Sequence, residues 1–133
     1  MTDEEINVKV AEALGFFWDT WGKSEIRVTA PIGIPCNWIG QDECKFLRLP
    51  ISKGETAEQS AHGAISRICP PFAASLDACS QFEKTLKDDE IKHYLNSVHN
   101  EVMKGVEYNE WKFFTASPLQ RCKAYLIVKG VEV

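Results

Sequence analysis

Apolar residues recur at three- and four-residue spacing in four stretches of the chain, and alternate singly in one. Ile6, Val10, Ala13 and Leu14 form a stripe that begins behind Thr2 and Glu5 at capping-box spacing. It ends at Gly15, where a helix terminus favours glycine, so the pattern predicts a helix over 2–15. Leu76, Cys79, Phe82 and Leu86 line one face of a second helix, with Ala78 at its edge. Pro70 and Pro71 close whatever precedes it, Ser75 caps it, and Asp77 stands in the first turn, where the helix dipole favours negative charge. A third helix opens on Asp88-Asp89-Glu90, carries Ile91, Tyr94, Leu95, Val98 and Val102, and ends at Lys104-Gly105. The last has Ser117 as its cap, Pro118 in the first helical position and Gln120 completing the box. Leu119, Cys122, Tyr125 and Leu126 point inward, and Gly130 ends it. The predicted core therefore contains Leu76, Cys79, Leu86, Leu119 and Leu126.

Ser24 to Thr29 alternates as a strand does, with Ile26 and Val28 on one side and Glu25, Arg27 and Thr29 on the other. Lys45–Ile51 reads as a second strand interrupted by Pro50, and Val106–Phe114 has strand composition. Between them, Ala57–Ile68 reads as a weak helix or a structured loop: Thr56 and Gln59 stand at capping-box spacing, but Gly63 weakens the run. Phe16 to Gly22 is dense in aromatics. Either Phe16 or Phe17 plugs the core while Trp18 and Trp21 shield its edge, or some of these rings stay exposed to meet a partner. Pro31, Gly33 and Pro35 break the segment leading to Trp38.

A length of 133 residues suits one domain, 1–133, and 44% hydrophobic with 26% charged residues is the balance of an ordinary globular chain. No apolar run approaches the roughly 20 residues of a membrane helix. Met-Thr-Asp-Glu-Glu is acidic where a secretory leader is basic, and five cysteines are an odd number without paired spacing. The expected setting is thus cytoplasmic, with all five thiols free. A net charge of −4 makes extended nucleic acid an unfavourable partner, because such binding rests on phosphate neutralisation.

Catalytic and metal patterns are absent from the sequence. Cys36 and Cys44 stand eight apart, whereas structural zinc ligands come in closely spaced pairs, and no CxxC or HxxxH occurs. His62, Cys69 and Cys79 have no nucleophile signature around them, and the glycines are isolated, without a phosphate-loop motif. No metal, cofactor or catalytic residue is expected.

Two blocks carry a resemblance. Pro70-Pro71-Phe72 followed by Ser75-Leu76-Asp77-Ala78 and a helix ending Glu83-Lys84-Thr85-Leu86 is one; Thr115 through Leu126 is the other. Together they resemble the phage ABA sandwich domain family, here with a longer loop-rich insertion around 31–70. The resemblance implies a phage or prophage origin in a bacterial host. It also implies an α+β fold in which a small antiparallel sheet is sandwiched between helices. It implies no activity and supplies no site residues.

The expected function is therefore that of a non-enzymatic phage accessory binding protein, acting on a host factor or sequestering a small nucleotide signal. A protein–protein interaction module without a small-ligand pocket is the alternative, and a small enzyme of unknown reaction a third. The candidate ligand-binding residues are Trp18, Trp21 and Trp38 with Arg27 and Arg48; Arg67 and Arg121 are further cations. Aromatic faces stack on bases and arginine grips anions bidentately. Partners are expected to be a host or phage protein or a small anion, with no membrane; a homo-oligomer is left open.

Overall fold

The computed structural model describes residues 2–31, 34, 46–103 and 116–131. The fold is α+β. Among the described residues it has five helices and one three-stranded antiparallel sheet, arranged in two compact units: Ala11–Pro70, and Met1–Val10 with Pro71–Val133. The first helix, α1 (Asp3–Leu14), contributes residues to both.

In the unit Ala11–Pro70, the strands β1 (Phe17–Trp21), β2 (Glu25–Thr29) and β3 (Phe46–Pro50) lie in the order β1-β2-β3. The aromatic segment after Gly15, which carried no strand expectation, is thus half of a hairpin. Gly22 makes the hairpin's turn possible: its φ of +68° is costly for any residue with a Cβ. The register opposes Trp21 to Glu25, Asp19 to Arg27 and Phe17 to Thr29, and on the other side Arg27 to Arg48 and Glu25 to Pro50. Pro50 is tolerated because it closes a strand that is the outer one among the described residues.

Because side chains alternate along strands, these pairings sort the sheet into two faces. Trp18, Ile26, Val28, Leu47 and Leu49 share one, and Ile26 and Val28 are fully buried. That face is covered by helix α2 (Ala57–Ile68), whose Ala61, Ala64, Ile65 and Ile68 are buried. The helix that looked weak in sequence is secured by both halves of its capping box. Gln59 N–H donates to Thr56 Oγ1 at 3.1 Å, and Thr56 N–H donates to Gln59 Oε1 at 2.9 Å.

The other unit is helical among its described residues. α3 (Leu76–Glu83) packs against α5 (Pro118–Val128), and α5 against α4 (Asp88–Met103). Phe82 is the hub, its ring centroid 5.9 Å from Phe72, 6.4 Å from Tyr94 and 4.5 Å from Tyr125. Ser75 caps α3 by accepting from Ala78 N–H at 3.2 Å, and Ser117 and Gln120 cap α5 reciprocally. Within this unit Ala73 N–H donates to Asn7 Oδ1 at 2.7 Å, tying the N-terminal helix to the segment before α3.

Parts of the predicted core are corrected. Cys79 and Leu126 are fully buried, but Leu86 and Leu119 are half-buried and Leu76 is 53% exposed. The buried stripe of α3 runs through Ala78, Cys79 and Phe82. At about 100° per residue, Leu76 stands roughly 110° from the middle of that stripe. Leu86 follows the last turn of the helix rather than lying within it. On α4, Tyr94, Ser97, Val98, Glu101 and Val102 are buried while Ile91 and Leu95 are exposed. The expected strand Val106–Phe114, the helix end at Lys104-Gly105, and Gly33, Pro35, Cys36, Trp38 and Cys44 lie outside the described residues.

Candidate functional site

The sheet face away from α2 is built by the even rhythm of three short strands. β1 places Phe17, Asp19 and Trp21 on it, β2 places Glu25, Arg27 and Thr29, and β3 places Arg48 and Pro50. Phe17 is 54% and Trp21 42% exposed, the large hydrophobic side chains exposed among the described residues of this unit. Such rings are enriched where proteins meet partners, because a Trp or Phe buries much area for few frozen torsions.

Trp21 lies across the sheet. The Arg27 guanidinium carbon sits 5.1 Å from its ring centroid and that of Arg48 4.7 Å, although Arg48 is two strands away from Trp21. Both distances are within the range of a cation–π attraction. Each arginine is in turn held by a carboxylate. Arg27 Nε donates to Asp19 Oδ1 at 3.1 Å and its Nη2 to Asp19 Oδ2 at 2.6 Å, a fork-on-fork pair. Arg48 places Nε at 3.0 Å and Nη2 at 2.9 Å from a single oxygen of Glu25. The hydrogen bonds to Asp19 raise the Arg27 pKa above its already high ordinary value, so this cation is permanent.

The structure brings together Trp21, Arg27 and Arg48 of the sequence-predicted set. Trp18 is half-buried on the opposite face, where the pleat sends every alternate residue. Trp38 lies outside the described residues. Arg67 is exposed in the last turn of α2, and Arg121 is committed to Glu83 in the other unit, Nη1 to Oε2 at 2.9 Å. Sequence reasoning left Phe17 open within the aromatic segment and missed Asp19 and Glu25 as members of the site. Once Phe17–Trp21 is read as a strand, the i, i+2 spacing of Phe17, Asp19 and Trp21 is the signal that finds two of them.

A second polar cluster ties the three helices of the other unit. Tyr94 Oη donates to Glu83 Oε2 at 2.8 Å, and Arg121 reaches the same oxygen while its Nε donates to the Ala116 carbonyl at 3.2 Å. Burial, and then the bond to Glu83, push the Tyr94 phenol well above its ordinary range. Nearby, Cys79 Sγ donates its one S–H toward the Phe72 carbonyl at 3.2 Å, with the Pro118 carbonyl a second acceptor at 3.6 Å. The Cys79 thiol together with burial pushes the Cys122 thiol up, so it stays protonated and is a poor nucleophile. These groups satisfy one another as a structural joint.

Among the described residues, no three His, Cys, Asp or Glu side chains are grouped to hold a metal ion. No described helix is long and apolar enough to cross a membrane. No protein-family model, curated protein or solved structure matches the chain.

Proposed function

We propose that this protein is a non-catalytic binding module, a phage or prophage accessory protein in its setting, and that the Trp21 face of its sheet docks a protein partner. One observation carries the reading. Trp21 is kept on the surface and immobilised there by two arginines and their two carboxylates. A side chain already fixed in place loses little further entropy when a partner covers it. Trp and Arg are also the residues that dominate binding energy at interfaces.

Size favours a partner segment over a broad surface. Three five-residue strands span about 10 Å across and about 17 Å along. A stable interface takes roughly 800 Å² from each partner, far more than the described strands of this face supply by themselves. A short stretch of another protein laid over Phe17 and Trp21 fits it better than a second copy held by this face alone. The resemblance of the blocks around α3 and α5 is what supports a phage origin.

A photoreactive phenylalanine at Phe17 tests the docking reading in bacterial cells, with the same group at the exposed Lys53 as control. The expected result is a discrete adduct from Phe17, absent from Lys53, and lost when Trp21→Ala is added without a change in melting temperature. No adduct at Phe17, or the same adducts from both positions, overturns it.

A further inference from the structure

An exposed indole with two guanidiniums against it has what is needed to capture a nucleotide: a stacking surface and two anion-binding forks. Here both forks already hold carboxylates from the same face. Asp19 takes two donors of Arg27, and Glu25 takes two of Arg48. The positions of these acids follow from register. Asp19 is the direct cross-strand partner of Arg27, while Glu25 reaches Arg48 diagonally from the position paired with Pro50. The eight face residues named above therefore carry two cations and two anions, a balanced set.

We infer that Asp19 and Glu25 are the specificity-determining residues of this face, acting as built-in counter-ions that turn phosphate- and carboxylate-bearing ligands away from Trp21. An incoming anion finds the Nε and Nη2 groups of both arginines already engaged by carboxylates, and it meets those two negative charges at close range. A neutral, largely apolar protein segment meets neither obstacle and gains the Trp21 and Phe17 surfaces. Selectivity of this kind is repulsive: it comes from what the site disfavours as much as from what it attracts. The identity of the occupant rests on the docking reading above, whereas the exclusion of anions stands on the geometry of the four charged side chains.

The test uses ATP as the probe, with Trp fluorescence and calorimetry as readouts. The comparison is between the unaltered protein, Asp19→Asn, Glu25→Gln and the double variant. The unaltered protein is expected to show no binding at millimolar ATP. Each single variant should gain affinity and the double variant more, by about tenfold or greater over the singles, with strong salt sensitivity. Adding Trp21→Phe to either single variant, Arg27→Gln to Asp19→Asn, or Arg48→Gln to Glu25→Gln should reverse the gain. Should the double variant fail to fold, the singles and their reversals decide the matter. Asp88→Asn/Asp89→Asn makes the same change in net charge in the first turn of α4 and should gain nothing.

Three results overturn the inference: ATP binding to the unaltered protein as tight as to the variants, no gain in any Asp19 or Glu25 variant, or an equal gain in the α4 control. The cross-linking at Phe17 is read separately. An adduct there without any gain in ATP binding removes the specificity role alone. A gain in ATP binding without an adduct removes the docking reading alone.

Discussion

Tyr94 shows how much one side chain can decide. Its hydroxyl donates to Glu83, eleven residues back, and Arg121 reaches the same carboxylate from thirty-eight residues ahead. Replacing Tyr94 by Phe should cost about 1.5–3 kcal/mol in a urea titration, the range for a hydrogen bond to a charged group. It should also change the pH profile. An unfolded tyrosine loses its proton near about pH 10, while folded Tyr94 and Tyr125 hold theirs to higher pH because burial disfavours the phenolate. Above that pH the native state binds more protons than the unfolded chain, so stability falls as pH rises. Cys122 adds to the same limb from about pH 8.5 upward. Urea midpoints between about pH 8 and 11 should therefore decline, and less so in Tyr94→Phe or Cys122→Ala. A flat profile in the unaltered protein would contradict this. At Gly63 the expected change has the opposite sign. The residue is exposed in the middle of α2 and a Cβ there meets nothing within 4 Å, so Gly63→Ala should stabilise by about 0.5–1 kcal/mol. The helix and its glycine could be read from the sequence, but the Glu83 junction could not, because its members meet only through packing of three helices.

Elements were legible where a local rule governs them. The caps Thr56, Ser75 and Ser117 stand where hydroxyl and amide spacing put them, and each accepts the expected backbone N–H. Ser117→Ala should accordingly lower stability by about 1 kcal/mol. Burial on α3 was less legible, because stripe membership was counted from apolar identity and not from distance around the helix. The contrast is measurable. Phe82→Ala should cost about 3–5 kcal/mol, since its ring meets Phe72, Tyr94 and Tyr125, whereas Leu76→Ala should cost well under about 1 kcal/mol. Equal losses would mean that the buried face is misassigned. Strand β1 was missed for a related reason. In Phe17-Trp18-Asp19-Thr20-Trp21 the solvent-facing positions hold Phe and Trp, so alternation of apolar with polar gives the wrong side or none. Elements that present apolar side chains outward escape a rule built on burying them.

For the molecule as a whole, the α+β class agrees with what the resemblance implies, and no described helix is long and apolar enough to cross a membrane. The division into two units was not legible. One of its boundaries does fall at a sequence break, between Pro70 and Pro71, but the other falls inside a helix, between Val10 and Ala11, where nothing in the sequence signals it. The cysteines bear on both units: Cys69 in one, Cys79 and Cys122 in the other, are buried. Thiol titration should find these three silent in the native protein, with all five of the sequence reactive once it is denatured without reductant. Fewer than five would reveal a bridge or modification.

The split within α1 also sets an order of events at the ribosome. Residues 11–70 form one continuous piece and can begin to fold as soon as they have emerged. The first ten residues belong with Pro71–Val133, and Asn7 must wait for Ala73, sixty-six positions later, before its amide oxygen has its partner. Synthesis at roughly 5–20 residues per second makes that wait several seconds long. During it, Ile6, Val8 and Val10, all buried in the finished protein, wait for the rest of the unit they are grouped with. The N-terminal segment is made first and docked among the last, so a chaperone that favours short apolar stretches would find it exposed on every nascent chain.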